Sequence, residues 1–599
     1  MGGPPEFAAQ TRPPIAELHM TRRTHAALAA AIAATLTLGL GACSKSKDSS
    51  SDQASNGAGL TTQGNGIIGG TPVKGGTLHI LSNQDISQLD PARNWTEPEM
   101  DFGIRLLYRT LTTFKAAPGK DGLQITGDLA TDTGEPSDGD KTWTFHLKDG
   151  LKYEDGTPIT TADIKYNVER SYDPDLSGGP DYAKKYLVAP ADYKGPLKGQ
   201  ELGNDSIETP DAKTILFHLK RPVAEFGYTV TLPTFAPVPK AHEGGTTYGN
   251  HVFSSGPYKV EGYDRGKQLT LVRNTNWDPS TDSVRKAYPD KIVMDQSGSP
   301  EGIADRLIAN QGDDQSAIMY ADMSAAKVAD VITNPDVKAR LVSENENCTA
   351  MVTLDTAKPP FNNQNARLAV EYGIDKEAYQ SAVGGPALSD IATTYLPPSL
   401  TGGTAVDHFK IPTGGDPAKA KQYLAAAGLS NGFSTDLTAD NAQKPQAEAV
   451  QAALKNIGIN VNLNIVDASV ATSTIGDKSR QTGMSLNGWC PDYPSGATFL
   501  PMIFDSRIIT DTGNNGDTSR FTDPAVDAEI DRIQSLTDTN AADQAWNALD
   551  AKVMDEAPAI PVTWQKKPLL VGSNIAGAFG SPIWSAEIDY ATIGLKSVK

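Results

Sequence analysis

The amino-acid sequence predicts an α/β protein of several lobes with an extra β-rich unit in its first half. Three observations lead there. At 599 residues the chain exceeds what one hydrophobic core usually serves, so it divides into several compact volumes. Residues 141–147 alternate polar and apolar side chains, the pattern of a strand with one buried face. Beyond Cys348 the apolar spacing becomes helical, in segments separated by strand-like runs, which is the alternation of an α/β lobe.

In chain order, Met20 opens a segment in which Arg22 and Arg23 precede an apolar run over 26–40, closed by Gly41, Ala42 and Cys43. A charged start, an apolar middle too short to span a bilayer, and small residues before a cut are the parts of a secretory signal. The order Leu40-Gly41-Ala42-Cys43 resembles the bacterial lipobox, which implies lipidation of Cys43 and anchoring to the outer face of the cell membrane. Residues 1–19 lie upstream of that signal and are set aside in reasoning about the fold. Residues 44–74 are rich in Ser, Asp, Asn, Gln, Thr and Gly, too poor in large apolar groups to fold, and read as a tether. Within it, Gly64-Asn65-Gly66-Ile67-Ile68-Gly69 matches a dinucleotide-binding glycine pattern in letters only, because no strand precedes it and no helical period follows.

Order is expected from Gly76, with a strand over 77–81 and helical spacing over 102–114. A hairpin follows, in which Asp149-Gly150 turns the 141–147 strand back into Leu151-Lys152-Tyr153. After Asp155-Gly156 a helix begins, capped by Thr160 or Thr161, with Asp163 in its first turn and Ile164 and Val168 on its buried face. Residues 214–219 and 268–273 alternate as a second pair of strands. Helices are expected at 365–373, 417–427 and 447–457, a strand at 460–466, helices at 527–535 and 541–556, and an apolar strand at 559–564. After Leu40 no apolar stretch approaches the length of a membrane span.

Asp plus Glu total 72 against 53 for Lys plus Arg, a net charge of -19. That balance disfavours nucleic acid and other polyanions as partners and suits a cationic or zwitterionic ligand. With Cys43 taken by lipid, Cys348 and Cys490 remain as one pair in an oxidising compartment and are expected to form a disulfide. The eight histidines are scattered, with no H-x-x-x-H and no C-x-x-C, so the pattern asks for no metal and no cofactor. H-E-x-x-H is absent, and Asp313-Asp314 reads as a solvated turn rather than an acid–base dyad, so no enzyme is expected.

Several segments occur in a telling order. They are Leu89-Asp90-Pro91-Ala92, Leu107-Tyr108-Arg109-Thr110-Leu111, residues 143–148 with 155–160 and 163–170, and Ala236-Pro237-Val238-Pro239-Lys240. Ser255-Gly256-Pro257-Tyr258, Arg273-Asn274, Pro360-Phe361-Asn362-Asn363 leading to Arg367, and Ile374-Asp375-Lys376 come after them. Together they resemble the family 5 extracytoplasmic solute-binding proteins of ABC transporters, the oligopeptide, dipeptide and nickel receptors, and among these the oligopeptide-binding lipoproteins. The resemblance implies a two-lobed periplasmic-binding-protein-like fold, class II and cluster C, in which the β-rich unit is an extra domain. It divides the chain into signal (1–42), tether (43–74), lobe I (75–110, 235–347 and 563–599), extra domain II (111–234) and lobe III (348–562).

Gly488-Trp489-Cys490-Pro491-Asp492-Tyr493 resembles the glycine-tryptophan-cysteine, any residue, aspartate-tyrosine element of oligopeptide receptors, with proline where alanine is usual. The resemblance implies that Asp492 anchors the peptide's α-ammonium, that Trp489 walls a side-chain pocket, and that Gly488, Cys490, Tyr493 and Tyr182 line the site. A cation in a water-poor cleft needs a carboxylate partner, which is the physical reason for an acid there. The resemblance also places Cys348 and Cys490 where these receptors carry their bridge. No Arg or His stands in Ser485-Leu486-Asn487, where receptors for peptides of defined length carry a basic side chain. The partner of the peptide carboxylate is therefore unassigned; Arg480 is the nearest candidate, although a solvated surface role is the commoner one for such a residue.

The function so implied is a monomeric substrate-binding lipoprotein of an ABC importer. It captures oligopeptides by lobe closure, holds them mainly through main-chain hydrogen bonds and delivers them to the transmembrane permease subunits. Other readings are a receptor for a nickel chelate, haem or an oligosaccharide, a sensor of peptide signals, and an anchored peptidase.

Overall fold

Two antiparallel strands, Leu341–Leu354 and Ala559–Leu570, each run through two separate hydrophobic cores of the computed structural model, which describes residues 66–598 apart from 405 and 511–514. Cys43 and the residues expected as export signal and as tether up to residue 65 lie outside the described residues. Leu341, Val342, Leu569 and Leu570 belong to one core, and Val352, Leu354, Ile560 and Val562 to the other. The ladder pairs Leu341 with Leu570 and Glu344 with Lys567, is interrupted between Asn345 and Thr349, and resumes with Thr349 opposite Trp564. Within the interruption Asn347 has a φ of 58°, a left-handed conformation that asparagine tolerates better than most residues. A ladder broken where two cores meet has fewer bonds to distort when one core rotates against the other.

The first core rests on a five-stranded sheet in the order Ala317–Tyr320, Thr77–Ser82, Lys291–Asp295, Gln268–Arg273, Tyr258–Asp264. Thr77–Ser82 is parallel to both neighbours and the remaining pairs are antiparallel. The second rests on six strands, Ser389–Ile391, Ala559–Leu570, Leu341–Leu354, Met484–Trp489, Phe433–Asp440 and Ile459–Val466. Alternation along the long strand sends Val352 and Leu354 to the face covered by helices Gln364–Gly373, Pro417–Ala426 and Lys444–Lys455. Met351 faces the other way, into a cluster with Tyr395, Phe499, Phe504 and Trp546 built on Thr539–Glu556 and its neighbours. The β-rich unit is a four-stranded sheet, Glu135–Ser137, Thr142–His146, Thr214–His218, Ile207–Glu208, whose Phe145 and Phe217 pack against Phe226.

Most expected elements form within a few residues of their expected limits, and the helix Thr161–Arg170 begins as its sequence requires. Thr160 caps it: its backbone N–H donates to Asp163 Oδ2 at 2.8 Å, and Ile164 and Val168 are fully buried. Four local expectations are corrected. The apolar spacing over 102–114 is no single helix: Glu97–Phe102 is followed by a wider turn, Gly103–Leu107, and then by extended backbone leading to Thr112–Phe114. Those residues are buried whatever their conformation, so the spacing carried no directional information. The hairpin at Asp149-Gly150 does not form either. Thr142–His146 pairs instead with Thr214–His218 over five positions, and Tyr153 donates from its backbone to Thr157 O at 2.9 Å, closing a small loop. Three residues after the turn cannot compete with a five-residue partner. Finally, Thr214–His218 and Gln268–Arg273 lie in different sheets. Residues 66–74, expected in the tether, contribute bridges from Ile68 to Ala578 and from Val73 to Leu595.

Several of the ordered motif residues turn out to be buried ionic joints. Arg170 makes a two-pronged bond to Asp90, at 2.8 Å for each oxygen, and reaches Glu243 at 2.6 Å. Arg109 and Arg285 enclose Asp128 at 2.6 and 2.8 Å, and Arg285 also holds Asp282 at 3.0 Å. Burial alone would raise Asp282, but the two guanidiniums outweigh it and hold its carboxyl well below the usual range. Asp128→Ala removes the carboxylate that two buried arginines share, leaving Asp282 to face both. It should lower stability by about 3–5 kcal/mol, read as a lower urea midpoint, whereas Asp313→Ala at an exposed turn should shift that midpoint little.

Candidate ligand-binding site

Strand Met484–Trp489 pairs with Leu341–Leu354 along its whole length, from Met484 opposite Leu354 to Trp489 opposite Thr349. On its other side Phe433–Asp440 pairs only with Met484 and Ser485. Among the described residues, Asn487, Gly488 and Trp489 therefore present an open strand edge. Gly488 is exposed on it, and a Cβ at that position would come within 2.9 Å of Thr349 O, so the close pairing itself demands glycine. An open edge with free N–H and C=O groups is the surface an extended peptide can join.

Past Trp489 the chain turns through Cys490 and Pro491 to Asp492. The sulfurs of Cys348 and Cys490 lie 2.00 Å apart, which sets the turn beside the interrupted ladder. Trp489 is half-buried, its indole N–H donating to Thr498 O at 2.8 Å and its ring packed on the Tyr395 cluster. Asp492 is also half-buried, and the hydroxyl of Tyr182 donates to its Oδ2. Tyr182 comes from the β-rich unit, on the short helix Tyr182–Tyr186, and is buried among Trp95, Tyr186 and Tyr493 at ring separations of 6.5, 5.6 and 5.8 Å. Tyr493, expected among the ligand residues, has no exposed surface; it stacks on Tyr228 and serves as the floor under Tyr182. Ser495 donates to Glu225 Oε1 at 2.7 Å, a second contact from this turn to the β-rich unit.

The electrostatics suit a cation. Burial raises the Asp492 carboxyl to about 6, while the Tyr182 hydroxyl and the Lys185 ammonium pull it back and Asp181 pushes it further up. Burial likewise lifts Glu225 to about 7. An enclosed acid held by a neutral hydroxyl has room for a stronger, charged donor.

Arg480 stays on the surface, paired with Asp477 at 3.1 Å and bonded to Ser473 O within the same turn. A basic residue closer to the junction of the cores escaped sequence reasoning. Lys567 contacts Glu587 at 2.7 Å and Asp322 at 3.0 Å, near Glu346 in the interrupted ladder, whose carboxyl burial pushes up to about 7. These four residues come from separate segments with no shared motif, so only the folded chain brings them together. Asp313-Asp314 is a turn in which Asp314 pairs with Arg306 at 2.7 Å. Gly428-Leu429-Ser430-Asn431-Gly432 spells the G-x-S-x-G of a nucleophile elbow, but it leads from helix Pro417–Ala426 into strand Phe433–Asp440, the reverse of the strand–turn–helix order an elbow needs.

The sequence profile of the bacterial extracellular solute-binding proteins, family 5 (middle), matches residues 124–511. The chain belongs to that family. Its members are substrate-binding receptors of ABC transporters and not enzymes, and the family binds peptides and is extracytoplasmic. The probable D,D-dipeptide-binding periplasmic protein DdpA of Escherichia coli (strain K12) is 26% identical over 524 residues, covering 84% of this chain and 92% of its own. The periplasmic oligopeptide-binding protein OppA of Salmonella typhimurium is 25% identical over 462 residues, covering 74% and 79%. Among solved structures, the clavulanic acid biosynthesis oligopeptide binding protein 2 aligns with a TM-score of 0.83 at 33% identity, over 89% of this chain and 99% of its own. The fold is thus the two-lobed binding-protein architecture. No helix among the described residues is long and apolar enough to cross a membrane.

The raised Asp492 carboxyl has a signature in the stability of the protein. The folded state keeps the proton up to about pH 6, whereas an unfolded aspartate releases it near pH 4, so stability falls as pH rises between these values and stays lower above them. Asp492→Asn removes that titration. The variant should exceed the parent by about 1–2 kcal/mol at pH 7, with the difference vanishing near pH 4, as measured by urea titration at both pH values.

Proposed function

We propose that this receptor is a lipid-anchored oligopeptide-binding protein in which Asp492 takes the peptide's α-ammonium and the open edge at Asn487, Gly488 and Trp489 takes its backbone. The observation that carries this reading is the enclosed Asp492 carboxyl, hydrogen-bonded by the neutral Tyr182 hydroxyl with the Lys185 ammonium nearby, at the end of an unpaired strand edge. An ammonium replacing that hydroxyl makes a charge-assisted bond worth about 1.5–3 kcal/mol. Main-chain bonding to the edge is blind to side chains, and water can fill side-chain pockets around it, so many sequences fit. The peptide ligands in the names of the similar proteins support the same class.

In this reading lobe I (75–110, 235–347 and 563–599) and extra domain II (111–234) close on lobe III (348–562) about the broken ladder. Tyr182 approaches Asp492 from one side, Trp489 walls a pocket, and a disulfide between Cys348 and Cys490 holds the anchor turn ready before ligand arrives. Cys43 carries the lipid, the protein acts as a monomer, and the closed form is presented to the permease subunits.

Calorimetry with free-amine and N-acetylated tripeptides tests the anchor. Asp492→Asn should weaken the free-amine series at pH 7 by about ten- to a hundredfold and leave the acetylated series, weak in both proteins, unchanged; equal losses in both series would make Asp492 a structural residue. Affinity of the parent for free-amine peptides should fall as pH drops through about 6, where the carboxyl takes up a proton, and the variant should show no such step. Separately, Cys43→Ser should move the protein from the membrane to the soluble fraction, and alkylation without reductant should label neither Cys348 nor Cys490.

A further inference from the structure

Two cations of the β-rich unit, Lys185 and Arg221, stand near the Asp492 turn with no acid to hold them. The buried Arg109, Arg170 and Arg285 grip carboxylates at 2.6 to 2.8 Å. Among the described residues neither Lys185 nor Arg221 forms an ion pair within 4.0 Å. In a chain whose acids outnumber its bases, two neighbouring cations without one are unexpected. The acids around them are engaged elsewhere. Asp505 and Asp531 both hold Arg507 at 2.7 Å, Glu225 accepts from Ser495 at 2.7 Å, and Asp492 accepts from Tyr182. Asp181, one helical turn before Lys185, is exposed and stays beyond pairing distance.

Aromatic rings fix where the two cations sit. The Lys185 ammonium lies 5.7 Å from the ring centres of both Tyr182 and Tyr186, which are 5.6 Å from each other, so it rests over the seam between them. The Arg221 guanidinium lies 5.2 Å from the Tyr186 ring and donates from Nη1 to Gln534 O at 3.3 Å, at the end of helix Pro524–Gln534. That contact engages one N–H of the fork. Among the described residues no other acceptor is bonded to it, and none to the Lys185 ammonium. Tyr182 links this pair to the proposed anchor, because its hydroxyl donates to Asp492 while Lys185 rests on its ring. One anion and then two cations thus follow one another along Tyr182 and Tyr186.

We propose that Lys185 and Arg221 receive a carboxylate of the ligand, so that the receptor prefers guests carrying an acid close to their amino end. This deepens the reading of Asp492 as the ammonium anchor and rests on it. An ammonium and a planar fork, both held on rings before the guest arrives, offer charge-assisted donors to the two oxygens of one carboxylate. Two sources supply that group. One is an acidic side chain at the start of the peptide. The other is the terminal carboxylate of a peptide of two or three residues, since an extended chain rises only about 3.4 Å per residue and the cations lie one or two tyrosine side chains from Asp492.

Calorimetry at low ionic strength on the full-length protein tests this with four ligands: trialanine, trialanine amide, and the amides of Glu-Ala-Ala and Gln-Ala-Ala. The parent should favour trialanine over its amide, or the Glu amide over the Gln amide, by about tenfold. The first preference identifies the terminal carboxylate as the guest group and the second the side chain. Lys185→Met keeps the stem over the rings and loses the charge. Combined with Arg221→Gln it should reduce the preference to about twofold or less, while trialanine amide, which offers no acid, binds within about twofold of the parent. Added salt should shrink the preference in the parent and not in the double variant. No preference in the parent, a preference that survives in the double variant, or equal losses for acid and amide ligands overturns the subsite. N-acetyltrialanine binding as tightly as trialanine overturns the anchor reading instead, and failure of all four ligands to bind overturns both.

Discussion

The second core is entered once and left once, and both crossings are made by the same pair of strands, Leu341–Leu354 and Ala559–Leu570. Everything else depends on that constraint. Because the two strands are hydrogen-bonded to each other, the junction is a ribbon rather than two loose linkers, and it resists twisting except where its ladder lapses at 346–348. The candidate anchor turn begins beside that lapse, with Cys490 against Cys348, so the carboxyl of Asp492 is positioned by the same element that links the cores.

Compact bodies on either side of the ribbon require interiors that do not yield, and the buried ionic joints supply this in the first half. Asp90 with Arg170, and Arg109 and Arg285 with Asp128 and Asp282, join segments far apart in the chain where no water can substitute for a lost partner. Gly256 belongs to the same device: a Cβ there would come within 2.8 Å of Leu106 O, and its own N–H donates to Leu107 O at 2.9 Å. In the second half Arg367 plays the part with main-chain partners, reaching Phe361 O and Glu556 O at 2.9 and 2.7 Å. The motifs that mark the family are thus, for the most part, joints of the scaffold rather than contacts to a ligand.

Elements whose pattern is set locally were legible in the sequence. Thr160 and Asp163 announce a helix start by their own chemistry, and the alternation of 141–147 and 460–466 reflects one buried face in each strand. Partner choice was not legible. The turn at Asp149-Gly150 has the chemistry of a hairpin, with Gly150 at a φ of 79°, yet the strand partner comes from beyond residue 213 because only that segment is long enough. The site divides in the same way. Asp492 and Trp489 sit in one short motif and could be read directly, whereas Lys567, Glu346, Glu587 and Asp322, or Trp95 beside Tyr182, are assembled from distant segments.

In the proposed reading, the phenol of Tyr182 is a stand-in for the ligand's ammonium at Asp492. Because that hydroxyl donates to Oδ2, a newcomer that takes this oxygen must trade places with it, and an incoming neutral group gains almost nothing from the swap. In the proposed reading, selectivity for a positive charge would arise from competition with a tenant the protein carries itself, and small movements of the helix Tyr182–Tyr186 would tune how demanding that competition is without altering Asp492.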